Sequence, residues 1–219
     1  MSQIKDIAIE KTTADNGDYL VMQNPTTGET YKIKVSNFLA GLSGLPVTPV
    51  LHQLTFAFSG DANGLFYYLG TNKGATVWNN PANRLLAVTA SSIGSGDPNT
   101  LSNRQADQFY TGDLANSWVM FEFVGQLKCQ YYSIKSRSND SNFYPRTWKL
   151  QGSIDGSTWV DLDSQNNNAT LVSAGQWLSL PISATVSYSK MRILQNGLDS
   201  SGYNYFCLDE VELYGEYTP

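Results

Sequence analysis

Three stretches of the chain combine aromatic rings with side-chain amides. The first holds Asn63, Phe66, Tyr67 and Tyr68 and, further on, Trp78, Asn79 and Asn80. The second runs from Asn139 and Asp140 through Asn142, Phe143 and Tyr144 to Arg146, and the third holds Asp199, Tyr203, Asn204 and Tyr205. A sugar ring presents an apolar C–H face that packs on Trp, Tyr or Phe, while its hydroxyls need the paired donors and acceptors of Asn, Asp and Arg. Asn63, Phe66, Tyr67, Trp78, Asn79, Asn139, Phe143, Tyr144, Arg146, Tyr203 and Tyr205 are therefore the candidate carbohydrate contacts. Phe143 and Tyr144 fall in a polar loop, where an exposed apolar pair points to a ligand. Arg146 either meets that ligand or caps backbone carbonyls at the end of the domain. Trp118, Trp148 and Trp159 sit in strand-like runs and are expected in the core.

Other chemistries lack their residues. Nucleophilic catalysis needs a base that works near neutral pH, and the one histidine, His52, falls in a linker-like stretch. Asp161 and Asp163 flank Leu162 and read as a solvated face rather than a glycosidase acid and base. Gly94-Ser95-Gly96 is not followed by the Lys-Thr of a phosphate loop. No catalytic residue is assigned, and the chain is expected not to be an enzyme. Cys129 and Cys207 are too few for a zinc cluster and read as reduced core residues. No cofactor is expected; the oxygen-rich turn Asp61-Ala62-Asn63-Gly64 could supply calcium ligands, although no EF-hand spacing is present.

The charge balance narrows the partners further. Fourteen basic and nineteen acidic residues leave a net charge of −5, without the cationic surface that neutralises phosphates, so nucleic acid is excluded. No run of about 18 apolar residues offers a membrane helix. Residues Met1 to Asp6 lack the apolar core of a secretory signal, which predicts synthesis and folding in a cytoplasm.

The elements that must carry the three stretches are short. Only 15% of the 219 residues are charged, and from Leu51 onward apolar or alternating runs are closed by Gly, Asn, Asp or Ser. Val119, Phe121 and Phe123 share a face opposite Met120 and Glu122; Trp148 and Leu150 alternate with Lys149 and Gln151; Val211 and Leu213 oppose Glu210 and Glu212. Asp155-Gly156 predicts a hairpin turn ahead of Trp159. An all-β sandwich of jelly-roll type follows for residues 51–219. Residues 1–50 read differently. Tyr19–Met22 and Thr30–Val35 flank the turn-forming Asn24-Pro25-Thr26-Thr27-Gly28-Glu29 and predict a small hairpin arm. Ser36 caps a helical turn over residues 37–40, and residues 41–49 form a linker.

Arg146-Thr147-Trp148-Lys149-Leu150, Gly152-Ser153-Ile154-Asp155-Gly156 and Trp159 form a dense signature that resembles discoidin-like domains, also called coagulation-factor type C domains. In order along the chain, Ser117 to Phe123, Met191-Arg192-Ile193 and Leu208 to Gly215 resemble further strands of that family, and the likeness covers residues 52–217. Asn63 to Thr71 and Trp78-Asn79-Asn80-Pro81 resemble the subgroup found beside BTB domains in eukaryotic adaptor proteins. The resemblance implies a galactose-binding-like β-sandwich jelly roll whose loops at one end bind sugars, phospholipid headgroups or protein. Many secreted members join their terminal strands by a disulfide, which Cys129 and Cys207, inside candidate strands, are not expected to reproduce. Residues 14–21 and 27–36 resemble the start of bacteriophage tail-fibre and other virion proteins.

Together these readings predict a virion fibre or adhesion protein located in the virion. Residues 1–50 would dock on other virion proteins, a homotrimer would suit the fibre, and the sandwich would bind cell-surface glycan. An intracellular, adaptor-type protein-interaction domain and a purely structural decoration protein are the alternatives.

Overall fold

The computed structural model describes residues 19–23, 26–34, 50–72, 74–82, 84–139 and 142–219. The chain divides into two units, Met1–Thr48 and Pro49–Pro219. The first contains the antiparallel hairpin of β1 (Tyr19–Gln23) and β2 (Thr30–Lys34), with Tyr19 opposite Lys34 and Gln23 opposite Thr30. Gly28 holds a φ of +74° in the turn, a conformation that other residues adopt at a cost. The expected helical turn at residues 37–40 and the linker at residues 41–49 lie outside the described residues, as does Val35.

The second unit is antiparallel. Its strands are β3 (His52–Leu54), β4 (Leu86–Ala90), β5 (Phe109–Tyr110), β6 (Trp118–Lys135), β7 (Trp148–Ser153), β8 (Val160–Gln165), β9 (Trp177–Pro181), β10 (Tyr188–Gln195), β11 (Cys207–Leu208) and β12 (Glu210–Thr218). A six-residue helix, α1 (Leu65–Gly70), and a 3-10 turn at Pro98–Ser102 interrupt them. The 18-residue β6 serves both layers of the sandwich. Its first half pairs with β4 and β10, continuing to β7 and β8. Its second half pairs with β9 and β12, continuing to β3. Gly125 lies between the halves at φ +82°, where a Cβ would come within 2.3 Å of the Thr218 carbonyl. Only glycine fits that bend.

The period-2 pattern buries what the sequence predicts along β6: Val119, Phe121 and Phe123 point inward and Glu122 outward. Between the layers, the fully buried Trp148 donates from Nε1 to Tyr132 Oη at 2.9 Å, and Tyr132 Oη donates to Asp163 at 2.6 Å. Asp163 is thus an internal acceptor, whereas Asp161 is solvated as expected and accepts from Lys149 and Gln151. Trp148 alone of the three strand tryptophans is fully core; Trp118 and Trp159 are half-buried, and the Arg192 guanidinium covers Trp159 at 4.1 Å. Cys129 and Cys207 are buried thiols. His52 belongs to an edge strand opposite Tyr217, not to a linker, because the Tyr217 end of β12 needs a neighbour on its outer side.

Glu210 and Glu212 occupy the face expected to be polar, yet both are buried. Lys135 reaches Glu210 at 2.9 Å, and α1 with its preceding loop lies over Glu212. The Glu212 carboxylate accepts from the backbone N–H groups of Phe66 at 2.7 Å, Tyr67 at 3.1 Å and Leu213 at 3.0 Å, with Arg104 at 3.9 Å. A Cβ at Gly64 would lie 2.2 Å from the Glu212 side chain, so that glycine is required by close approach. Burial outweighs the donors and pushes the carboxyl up from its ordinary 4.5 to about 7.

A raised carboxyl pKa means that the folded state holds the proton longer than the unfolded chain does. Its stabilising contribution is complete below pH 4.5 and disappears as pH rises through about 7. The stability of Glu212→Gln should therefore fall less steeply than that of the parent across this window, by at most about 1.4 kcal/mol per pH unit. Urea titrations from pH 4.5 to 8 measure this, and parallel curves for the two proteins would show that Glu212 stays ionised throughout.

Candidate functional site

The loops where both ends of β6 emerge assemble an aromatic platform. Thr111 N–H donates to the Phe206 carbonyl, and β5 pairs with β11, which brings Tyr110 beside the 199–206 loop. Tyr110, Phe143, Tyr203 and Tyr205 then form one cluster. Phe143 lies 5.9 Å from Tyr203 and 5.7 Å from Tyr205, nearly perpendicular to the latter; Tyr203 and Tyr205 are 5.6 Å apart; Tyr110 meets Tyr205 edge-on at 5.8 Å. The Arg137 guanidinium, just past the end of β6, lies 5.0 Å over the Tyr110 ring and donates to Gln108 Oε1. Tyr203 is 46% exposed, so the platform presents a ring to solvent.

Short hydrogen bonds fix the rings from behind. Asp199 Oδ1 accepts from Ser201 N–H at 2.8 Å and Tyr203 N–H at 3.0 Å, while Asp199 N–H donates to the Tyr203 carbonyl at 2.8 Å. That closes a tight loop under Tyr203. Ser200 N–H donates to the Tyr144 carbonyl, and Ser200 Oγ accepts from Tyr144 N–H and donates to the Asn142 carbonyl at 2.8 Å. The Tyr203 loop is in this way clasped to the segment that carries Phe143. Asp113 Oδ1 accepts from both N–H and Nδ2 of Asn204, at 2.7 and 3.1 Å. Burial raises the Asp199 carboxyl above the ordinary range, with the loop amides opposing the shift.

The expected contacts divide. Phe143, Tyr203 and Tyr205 stand in the platform, and Asn139 is exposed on the same β6–β7 connection; Asp140 lies outside the described residues. Tyr144 does not join them: it is 6% exposed, because its backbone is clasped by Ser200 and its ring packs inward. Arg146 is spent on carbonyls, donating from Nη1 to Asn168 at 3.0 Å and Leu171 at 2.9 Å, and acts as a structural cap. Phe66 is 1% exposed against Phe121 inside the core and cannot contact a ligand, since the six-residue helix turns it inward. Trp78 and Asn79 pack on Gly70, where a Cβ would meet Trp78 Nε1 and the Asn79 carbonyl at 2.8 Å. Asn63 and Tyr67 line a different groove. Sequence reasoning missed Tyr110, Asp113 and Arg137; the only signal was their place in polar runs bordering β6. The Asp61 carboxylate is engaged by the N–H groups of Ala57, Phe58 and Asn63, and the Gly60 and Asp61 carbonyls accept from Arg104. Among the described residues no cluster of His, Cys, Asp and Glu could hold a metal.

No protein-family model matches the chain. A BTB/POZ domain-containing protein of Arabidopsis thaliana is 32% identical over 179 residues, 74% of this chain and 22% of that protein. The E3 ubiquitin-protein ligase Ufd4 of Drosophila melanogaster is 31% identical over 172 residues, 74% of this chain and 6% of the ligase. The chain thus spans less than a quarter of the length of these relatives. Among solved structures, a carbohydrate-binding module of family 32 from Clostridium perfringens, in complex with GalNAc-β-1,3-galactose, superposes with a TM-score of 0.51 at 15% identity, covering 59% of this chain and 95% of the module. A second such module, from a family 31 glycoside hydrolase of the same organism, superposes with a TM-score of 0.51 at 14% identity, over 59% of this chain and 90% of that one. The fold is therefore the galactose-binding-like β-sandwich.

Asp113→Ala removes Oδ1, the one oxygen that accepts both Asn204 hydrogen bonds. The Asn204 amide loses one bond worth about 1 kcal/mol, so its exchange should quicken about fivefold while the β6 amides keep their protection. Hydrogen exchange followed by NMR reads both, and unchanged exchange at Asn204 would remove Asp113 from the clamp.

Proposed function

We propose that the chain is a non-enzymatic binding module whose aromatic platform holds carbohydrate. The observation that carries this reading is the set of rings from three separate segments, fixed before any ligand arrives and edged by Arg137, Asn204 and Asp113. Rings accept the apolar face of a sugar, and the guanidinium, amide and carboxylate match its hydroxyls. The galactose-binding-like fold supports the reading, because a neighbour of the same fold, the Clostridium perfringens module described above, is in complex with GalNAc-β-1,3-galactose.

The eukaryotic relatives favour a second reading. Both are large proteins of which this module is a small part, one with a BTB/POZ domain and one a ubiquitin ligase, and a protein partner would suit the same platform. Attachment of residues 1–50 to a virion, and a homotrimer, rest on the resemblance of that arm alone. Sedimentation of the full chain as a trimer would favour them.

A glycan array probed with the full chain separates the readings. Specific binding that weakens at least tenfold in Tyr203→Ala is the outcome expected for a carbohydrate reader, because the exposed ring is the stacking surface. An array without signal, together with a stoichiometric protein partner whose binding is lost in the same variant, would replace it with protein recognition.

A further inference from the structure

A second recess lies away from the platform, toward the Gly125 end of β12. It is a groove of about 590 Å³ between β3 and α1, within the range of ligand-binding clefts. Five consecutive residues, 51–55, line one side. Successive side chains of a strand point to opposite faces, so an unbroken run can line a groove only along the strand's edge, where the backbone itself faces the opening. Among the described residues β3 is the terminal strand of its sheet, paired with β12 on one side only, and Leu51 ahead of it is 56% exposed. The opposite wall is α1 and the residues at its two ends, with Tyr67 and Tyr68 on the helix, Asn63 ahead of it and Thr71 after it.

An open strand edge facing a helix is the geometry in which an extended peptide adds as a further strand: its backbone pairs with the edge, and alternate side chains enter the groove. The walls specify the peptide. Among the described residues that line the groove none is Asp, Glu, Lys or Arg, so an uncharged segment suits it. His52 and Tyr68, 5.1 Å apart with Tyr217 behind them, offer an apolar bed for one aliphatic or aromatic side chain.

We propose that this groove is a peptide-binding site in which a short, uncharged, extended segment of a partner protein pairs with β3 beside α1. It is independent of the platform and of what the platform binds.

The probe is a random heptapeptide library displayed on phage and selected against the full-length chain, with the leading sequence then synthesised and titrated. The expected peptide is uncharged, with an apolar residue at alternate positions, and shifts the amide resonances of residues 52–55 and of Asn63 to Thr71. Its affinity should fall at least tenfold when the amides facing β3 are N-methylated. It should fall equally in Ala62→Trp or Asn63→Trp, exposed positions whose new ring fills the groove, with circular dichroism and melting temperature showing which of the two remains folded. A library that enriches nothing, a selected peptide that shifts other resonances, or binding indifferent to both N-methylation and groove filling overturns the assignment.

Discussion

Everything in the second unit hangs on β6 running through both layers. One strand donates and accepts for β4, β10, β9 and β12, and the bend at Gly125 folds its second half over its first. The bend has a geometric consequence. Ser117, ahead of the strand, bonds to Gln195 near the β10 loop, while Arg137, after it, reaches Tyr110. A strand that doubled back less would separate these ends, and the four rings would lie on different sides of the domain. Position of the platform is thus set by a glycine in the middle of a strand, not by a residue of the platform itself.

Glu212 shows what it costs to cover such a sandwich. A carboxylate inside a low-dielectric interior is unfavourable unless donors surround it. Three backbone N–H groups and a guanidinium supply them, and in doing so they dock a helix too short to be stable alone. The same contact that orients Phe66 into the core turns Tyr67 toward the outside, where the Arg104 guanidinium lies 5.0 Å over its ring. One buried carboxyl group therefore ties the core side of α1 to the side that forms a groove wall.

This is why the strands were legible and much of the site was not. Alternation along β6 and β7 is a local property, and Val119, Phe121, Phe123, Trp148 and Leu150 are buried as the pattern says. Alternation tells which residues share a face, not whether another segment covers it. Glu210 and Glu212 lie on the predicted face and are nonetheless buried beneath Lys135 and α1. The same blindness placed Phe66 and Tyr144 among ligand contacts, since both are ordinary loop aromatics until a helix or a serine clasp turns them inward. Arg146 could be foreseen as a cap, but the choice between cap and contact depended on the carbonyls of Asn168 and Leu171, more than twenty residues away. Phe143, Tyr203 and Tyr205 were legible as rings in polar loops that stand out against the strand alternation, but those loops join strands that are not neighbours, so that the rings meet is visible only in the fold.

The two surfaces solve the cost of recognition differently. At the platform, Asp199, Ser200 and Asp113 satisfy backbone groups of the very loops that carry the rings, so the rings have little freedom left to lose when a ligand arrives. Along β3 the opposite holds: among the described residues no strand pairs with its outer edge, and the gain lies in satisfying those backbone groups. β12 joins the two, since Glu210 at its start pairs with Lys135 close to Arg137 and Tyr217 near its end pairs with His52. Both ends of that strand are buried against β6, so a ligand at one surface meets a scaffold already rigid at the other. Such a design favours independent occupancy of the two surfaces over coupling between them, because coupling would need an element with two arrangements and β12 is held in one.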